Sequence, residues 1–101
     1  MSHTLFNFEW NAAKAAANLK KHGVRFEEAA TVFEDDHAYI QEDELHADEE
    51  PRQIIIGYSA RNRLLMVSWL QRAFNLIRII SARLASSRER RIYEEKSNFS
   101  D

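Results

Sequence analysis

Cysteine is absent from this sequence, and glycine occurs only twice, at Gly23 and Gly57. The first absence removes a disulfide framework, a thiolate metal site and a cysteine nucleophile, and it suits a reducing compartment. The scarcity of glycine leaves no glycine-rich loop in which backbone amides cradle a phosphate. No apolar run approaches the roughly 20 residues that span a bilayer as a helix. The start, Met1-Ser2-His3-Thr4, has neither the basic residues nor the hydrophobic stretch of a secretory leader. No membrane partner is expected, and the cytoplasm is the expected location. No His, Asp or Glu spacing on an expected helix has the pattern of a metal site, and Ser59, Ser68 and Ser81 show no strand-to-helix nucleophile elbow. Neither a metal nor a cofactor is expected.

What is present is charge, and it is sorted by sign along the chain. The net charge of −2 hides 11 carboxylates and no Lys or Arg between Glu27 and Glu50, followed by nine arginines and one acid, Glu89, between Arg52 and Arg91. Every base in the second block is arginine, whose planar, permanently charged fork suits bidentate recognition of phosphate or carboxylate. On charge alone, a nucleic-acid surface stands level with the alternative of ordinary solvated strand and helix faces plus a partner-protein surface. The 101 residues suffice for a single domain spanning 1–101, with 97–101 as a frayed tail.

Phe6 to Trp10 alternates apolar and polar residues and reads as a short strand. Asn11 offers an N-cap to a helix over 12–22 that ends in Lys20-Lys21-His22 before Gly23. Ala12, Ala16 and Leu19 share one face of that helix, and Lys14, Asn18 and Lys21 another. A second helix over 26–34 turns Phe26, Ala29, Ala30 and Phe33 to the core. After a possible strand at 38–40 and an acidic loop over 41–51, three stronger strands follow at 52–59, 63–70 and 76–83. Ser86 and Glu89 form a capping box for a last helix to about residue 96. The expected class is α+β: a small antiparallel meander with two N-terminal helices and one C-terminal helix.

Alternate loops of a meander lie at the same end. This places His46, Glu50, Arg52 and Arg72 together at one end and Arg61, Arg63 and Arg83 at the other. Arg78 and Arg83, an odd number of residues apart on one strand, should point to opposite faces. Arg88, Arg90 and Arg91 sit in the first turns of the last helix, against its macrodipole, and local conflicts of this kind mark functional surfaces.

Phe8-Glu9-Trp10, Lys14, Asn18, Lys21-His22-Gly23 and Phe26, then His46, Glu50, Arg52, Gly57, Arg63-Leu64-Leu65 and Arg72, then Ile77 to Arg83 with Glu89-Arg90-Arg91 and Tyr93, occur in a joint order. In that order the chain resembles the BrnT toxins of bacterial type II toxin–antitoxin systems from Phe8 to Glu95. The resemblance implies a RelE-like fold with helices on one face of the sheet, and RNA cleavage that blocks translation. It also implies a BrnA-like ribbon-helix-helix antitoxin in a 2:2 complex that binds operator DNA through the antitoxin. Leu70, Ala73, Leu84 and Pro51 depart from the family pattern. A non-enzymatic module of the same fold, binding only antitoxin or nucleic acid, is the alternative.

Metal-free RNA cleavage needs a base for the 2′-OH proton, donors for the phosphorane charge and an acid for the leaving oxygen. Arg52 and Arg72 are the candidate donors. His46 is a candidate proton shuttle, and Glu50 either the base or the group that orients Arg52. Arg63, Arg83, Arg88, Arg90 and Arg91 are the candidate RNA or phosphate contacts. Trp10 and Trp69 are read as core residues rather than stacking platforms.

Overall fold

The computed structural model describes residues 6–46 and 50–97. Five strands form one sheet: β1 (Asn7–Glu9), β2 (Tyr39–Glu42), β3 (Gln53–Tyr58), β4 (Leu64–Ala73) and β5 (Leu76–Leu84). The helices are α1 (Ala12–His22), α2 (Phe26–Thr31) and α3 (Ser87–Ser97). Strand order is β1-β5-β4-β3-β2. β2 to β5 make the expected antiparallel meander, while β1 joins the edge of β5 in parallel, Phe8 opposite Ile77.

The helix boundaries follow from their caps. The Asn11 side chain accepts the Lys14 N–H at 2.9 Å at the start of α1. Gly23 closes that helix at φ +71°, where a side chain is strained, and donates its N–H to Leu19 O at 2.8 Å. Both halves of the capping box of α3 form: Ser86 Oγ accepts from Glu89 N at 3.2 Å, and Glu89 Oε1 accepts from Ser86 N at 2.9 Å.

One sheet face, carrying Ile55, Leu65, Val67, Ile79 and Ala82, packs against Val24, Phe26, Ala29 and Val32 of the α1–α2 layer. Phe33 sits between Phe8 and Trp69, with ring centroids 5.3 and 5.2 Å away, and Trp10 packs edge-on against Phe26. Both tryptophans are therefore core residues, as expected. The other face carries Ile56, Leu64 and Met66 and is capped by Tyr93 of α3. Helices thus lie on both faces, not on one. Alternate positions of β3 and β4 are apolar on each side, so each side needs a cover. The Tyr93 hydroxyl fixes α3 there by donating to Asp35 Oδ2 at 2.8 Å.

The inward face of α1 also differs from expectation. Ala12 and Ala16 are exposed, and Asn18 is buried. β1 pairs only with residues 76–78 of β5, so the edge beyond has no strand beside it. Asn18 takes that place: Ala82 N donates to its Oδ1 at 3.1 Å, and its Nδ2 donates to Ala82 O at 2.8 Å and Val24 O at 3.0 Å. One side-chain amide does the work of a missing strand.

Two register shifts interrupt the β4–β5 ladder. Ser68 opposes Ser81 and Trp69 opposes Ile79, which leaves Ile80 as an extra residue; Gln71 opposes Ile77 and Ala73 opposes Leu76, which leaves Arg72 as another. Ile79 and Ala82, three apart, consequently enter the same core. By the same step Arg78, opposite Leu70, and Arg83, opposite Met66, fall on one face. This corrects the expectation that they diverge.

Candidate active site on the open sheet face

α3 covers only part of its sheet face. The remainder is a cleft of about 520 Å³ floored by Ile54, Met66, Ser68 and Ser81. Asp43, Leu45 and Arg52 border it on one side, Arg83, Arg88 and Glu89 on the other.

Arg52 immediately precedes β3, and the two-residue alternation of Ile54 and Ile56 carries it onto this face. Its side chain is 19% exposed and lies 3.7 Å from a Glu50 carboxylate oxygen, so the proximity of these two candidates holds. Arg83 reaches the cleft from β5. Its Nη1 and Nη2 each donate to one oxygen of Glu89 at 2.8 Å, a bidentate pair. These bonds raise the Arg83 pKa against the opposing effect of burial. Burial pushes the Glu89 carboxyl up, but the Arg83 hydrogen bonds and the Ser86 N–H outweigh it and hold the carboxyl below its ordinary value. Glu89 thus caps α3 and fixes the direction of Arg83 together. Arg88, in the first turn of α3, is exposed on the cleft rim.

The other candidates lie elsewhere. Arg72 does not line this cleft. It is half exposed at the bulge of β4, with Nε 3.7 Å from Glu9 Oε2, the oxygen that accepts from Arg78 Nη1 at 3.0 Å. Arg63 is turned to the opposite face. Its Nε and Nη2 donate to Glu28 at 2.9 and 2.6 Å, and Nη2 also donates to Gly23 O at 3.1 Å. Those bonds, with one from Ser59 Oγ at 2.7 Å, outweigh burial and hold the Glu28 carboxyl below its ordinary value. Arg63 therefore ties the β3–β4 turn to the helical layer. Arg90 donates to Tyr58 OH at 3.2 Å, and Arg91 is exposed on α3. The backbone of His46 ends the 3-10 turn Glu44–His46, and its side chain lies outside the described residues.

Sequence reasoning missed Asp43, Ser68 and Ser81 as lining residues, and Glu9 as the partner of two arginines. For the serines a signal existed: they are small polar residues inside two strands otherwise rich in large apolar ones. Among the described residues, no three His, Asp or Glu side chains gather in a way that would hold a metal ion, and no helix is long and apolar enough to cross a membrane.

The family model for "Ribonuclease toxin, BrnT, of type II toxin-antitoxin system" matches residues 10–89. The crystal structure of the ribonuclease toxin BrnT of Brucella abortus is similar in fold, with a TM-score of 0.64 at 20% sequence identity, covering 81% of this chain and 99% of that one. A search of curated proteins gave no match. The span of the family match includes β2 to β5 and every arginine that borders the cleft, and on that ground the chain belongs to the BrnT family of ribonuclease toxins of type II toxin–antitoxin systems.

Proposed function

We propose that this chain is an endoribonuclease whose open sheet-face cleft binds single-stranded RNA and cleaves it with arginine in place of a metal. The observation that carries this reading is the convergence of Arg52, Arg83 and Arg88 on one cleft from three separate elements. A phosphodiester held among them meets planar donors from two sides. When the 2′-oxygen bonds to phosphorus and the bond to the 5′-oxygen breaks, these donors stabilise the charge that develops on the non-bridging oxygens. The 2′-OH proton passes to Glu50 or His46, and the group so protonated gives a proton, directly or through water, to the departing 5′-oxygen. Arg72 and Arg78, at the same end of the sheet, extend the basic surface toward β1. The consequence in the cell is a block of translation in the cytoplasm, relieved by a ribbon-helix-helix antitoxin in a 2:2 complex.

The test is incubation of purified chain with unstructured RNA in EDTA. Cleavage should persist, because no step uses a divalent ion. Arg52→Ala and Arg83→Ala should each lower the rate by about 10²–10³-fold, the cost of losing one charge-stabilising donor. Lys14→Ala, on α1, should change it by less than about threefold, as a surface charge does. RNA left intact by folded chain, with antitoxin still bound, would favour the alternative of a non-enzymatic binding module.

A further inference from the structure

The middle of a sheet face normally fills with branched or aromatic side chains, and this face does so at Ile54, Ile56 and Met66. At its centre it does not. Ser68 and Ser81 stand directly opposite each other on β4 and β5, and both line the cleft. Ser68 is only 6% exposed, so its hydroxyl is set deep. Two hydroxymethyl groups beside rows of isoleucine and methionine leave a hollow, apolar at the sides, hydroxylated at the bottom and rimmed by Arg52, Arg83 and Arg88. A phosphate bound at that rim needs no hollow beneath it.

We infer that the hollow receives one unstacked nucleobase of the RNA chain. The inference rests on the RNA-binding reading above and adds what engages the nucleotide. A base is flat and apolar on its faces, which suits the Ile54 and Met66 walls, and polar at its edge, which suits two hydroxyls that each donate or accept. Among the described residues no aromatic ring lines the cleft: Trp10 and Trp69 pack on the other face, and Tyr58 and Tyr93 pack edge-on against each other under α3. Stacking falls to the guanidinium planes of the rim, an accepted substitute in recognition of single-stranded RNA. The cleft volume of about 520 Å³ lies within the range of small-ligand sites.

The probe is a pair of labelled chains of equal length, one a mixed-sequence tetranucleotide with 2′-fluoro sugars that cannot be cleaved, the other the same sugar-phosphate chain without bases. Fluorescence anisotropy in EDTA should show the abasic chain binding at least about tenfold more weakly, in keeping with what one stacked base contributes. Ser68→Val and Ser81→Val, which fill the hollow, should lower the affinity for RNA to that of the abasic chain and leave the abasic affinity unchanged. Ser68→Ala, which keeps the space, should lose only part of it. Equal affinity of the native chain for both probes would overturn the hollow as a base site. If Arg52→Ala and Arg83→Ala still weaken both probes in that case, RNA binding by the cleft stands without it. Binding indifferent to both arginines would overturn both readings. The comparison of probes on the native chain decides the matter even where a valine variant fails to fold.

Discussion

At the scale of single residues, the polar side chains divide between those that hold the fold and those that face the cleft. Asn18 belongs to the first group, since its amide completes the edge of β5 at Ala82 and also bonds Val24 O. Asn18→Ala would strand a buried N–H and two carbonyls, and leaving one such group unpaired costs about 1–3 kcal/mol. A loss of about 3 kcal/mol in urea unfolding is expected, with an unchanged denaturant slope. A loss below about 1 kcal/mol would mean that water replaces the amide. Glu28 is the second such residue. Its folded pKa is held down by Arg63, so its contribution is complete above the ordinary glutamate value of about 4.3 and is lost as pH falls through the lower folded value. Glu89 acts in the same direction. Melting temperature should therefore fall as the solution is acidified from about pH 5 toward pH 3, the region in which such carboxylates take up protons. Glu28→Gln should be less stable at neutral pH and lose less on acidification. An identical acid profile in that variant would remove Glu28 from the account.

At the scale of elements, caps and strand alternation were legible in the sequence, while departures from regularity were not. Asn11, Gly23, Ser86 and Glu89 mark helix ends through local bonds that a few neighbouring residues determine, and each does so in the structure. The meander was legible because its strands are apolar and joined by short turns. The direction of β1 was not, since three residues carry too short a pattern to fix it; in the fold β1 runs parallel to β5, with Phe8 packed beside Phe33. The bulge at Ile80 was hidden for a related reason. Nothing in Ile79-Ile80-Ser81 marks an extra residue, yet it reverses every orientation beyond it and brings Arg83 onto the face of Arg78 and Arg52. Arg63 and Arg83 show the same limit from the other side: both lie near one end of the sheet, but parity sends Arg63 to Glu28 and Arg83 to the cleft. The arginines at the start of α3, unfavourable to the helix dipole, make sense once Glu89 is seen to satisfy the cap and Arg88 to border the cleft.

At the scale of the whole molecule, a chain of net charge −2 brings three arginines, Arg52, Arg83 and Arg88, to one cleft together with only two carboxylates among its lining residues, Asp43 and Glu89. With so small a net charge, the RNA-binding reading expects weak long-range attraction and an affinity set by the few arginines placed to meet phosphate directly. This has a measurable form. Each phosphate neutralised on a single strand contributes about −0.7 to the slope of log affinity against log salt, so three cleft arginines set a limit of about −2. Arg83 is already neutralised by Glu89, and Arg52 lies within 3.7 Å of Glu50, so these two release fewer counterions than free cations would. No carboxylate among the described residues pairs with Arg88, which should behave as a full contact. Arg88→Ala is expected to make the slope shallower by about 0.7 while weakening RNA of every sequence alike, because a phosphate contact carries no base information. Lys14→Ala should leave the slope unchanged. A slope far steeper than about −2 in the native chain would require more phosphate contacts than the cleft supplies, and would direct the search to Arg72, Arg78 and the exposed Arg91 as parts of a longer track.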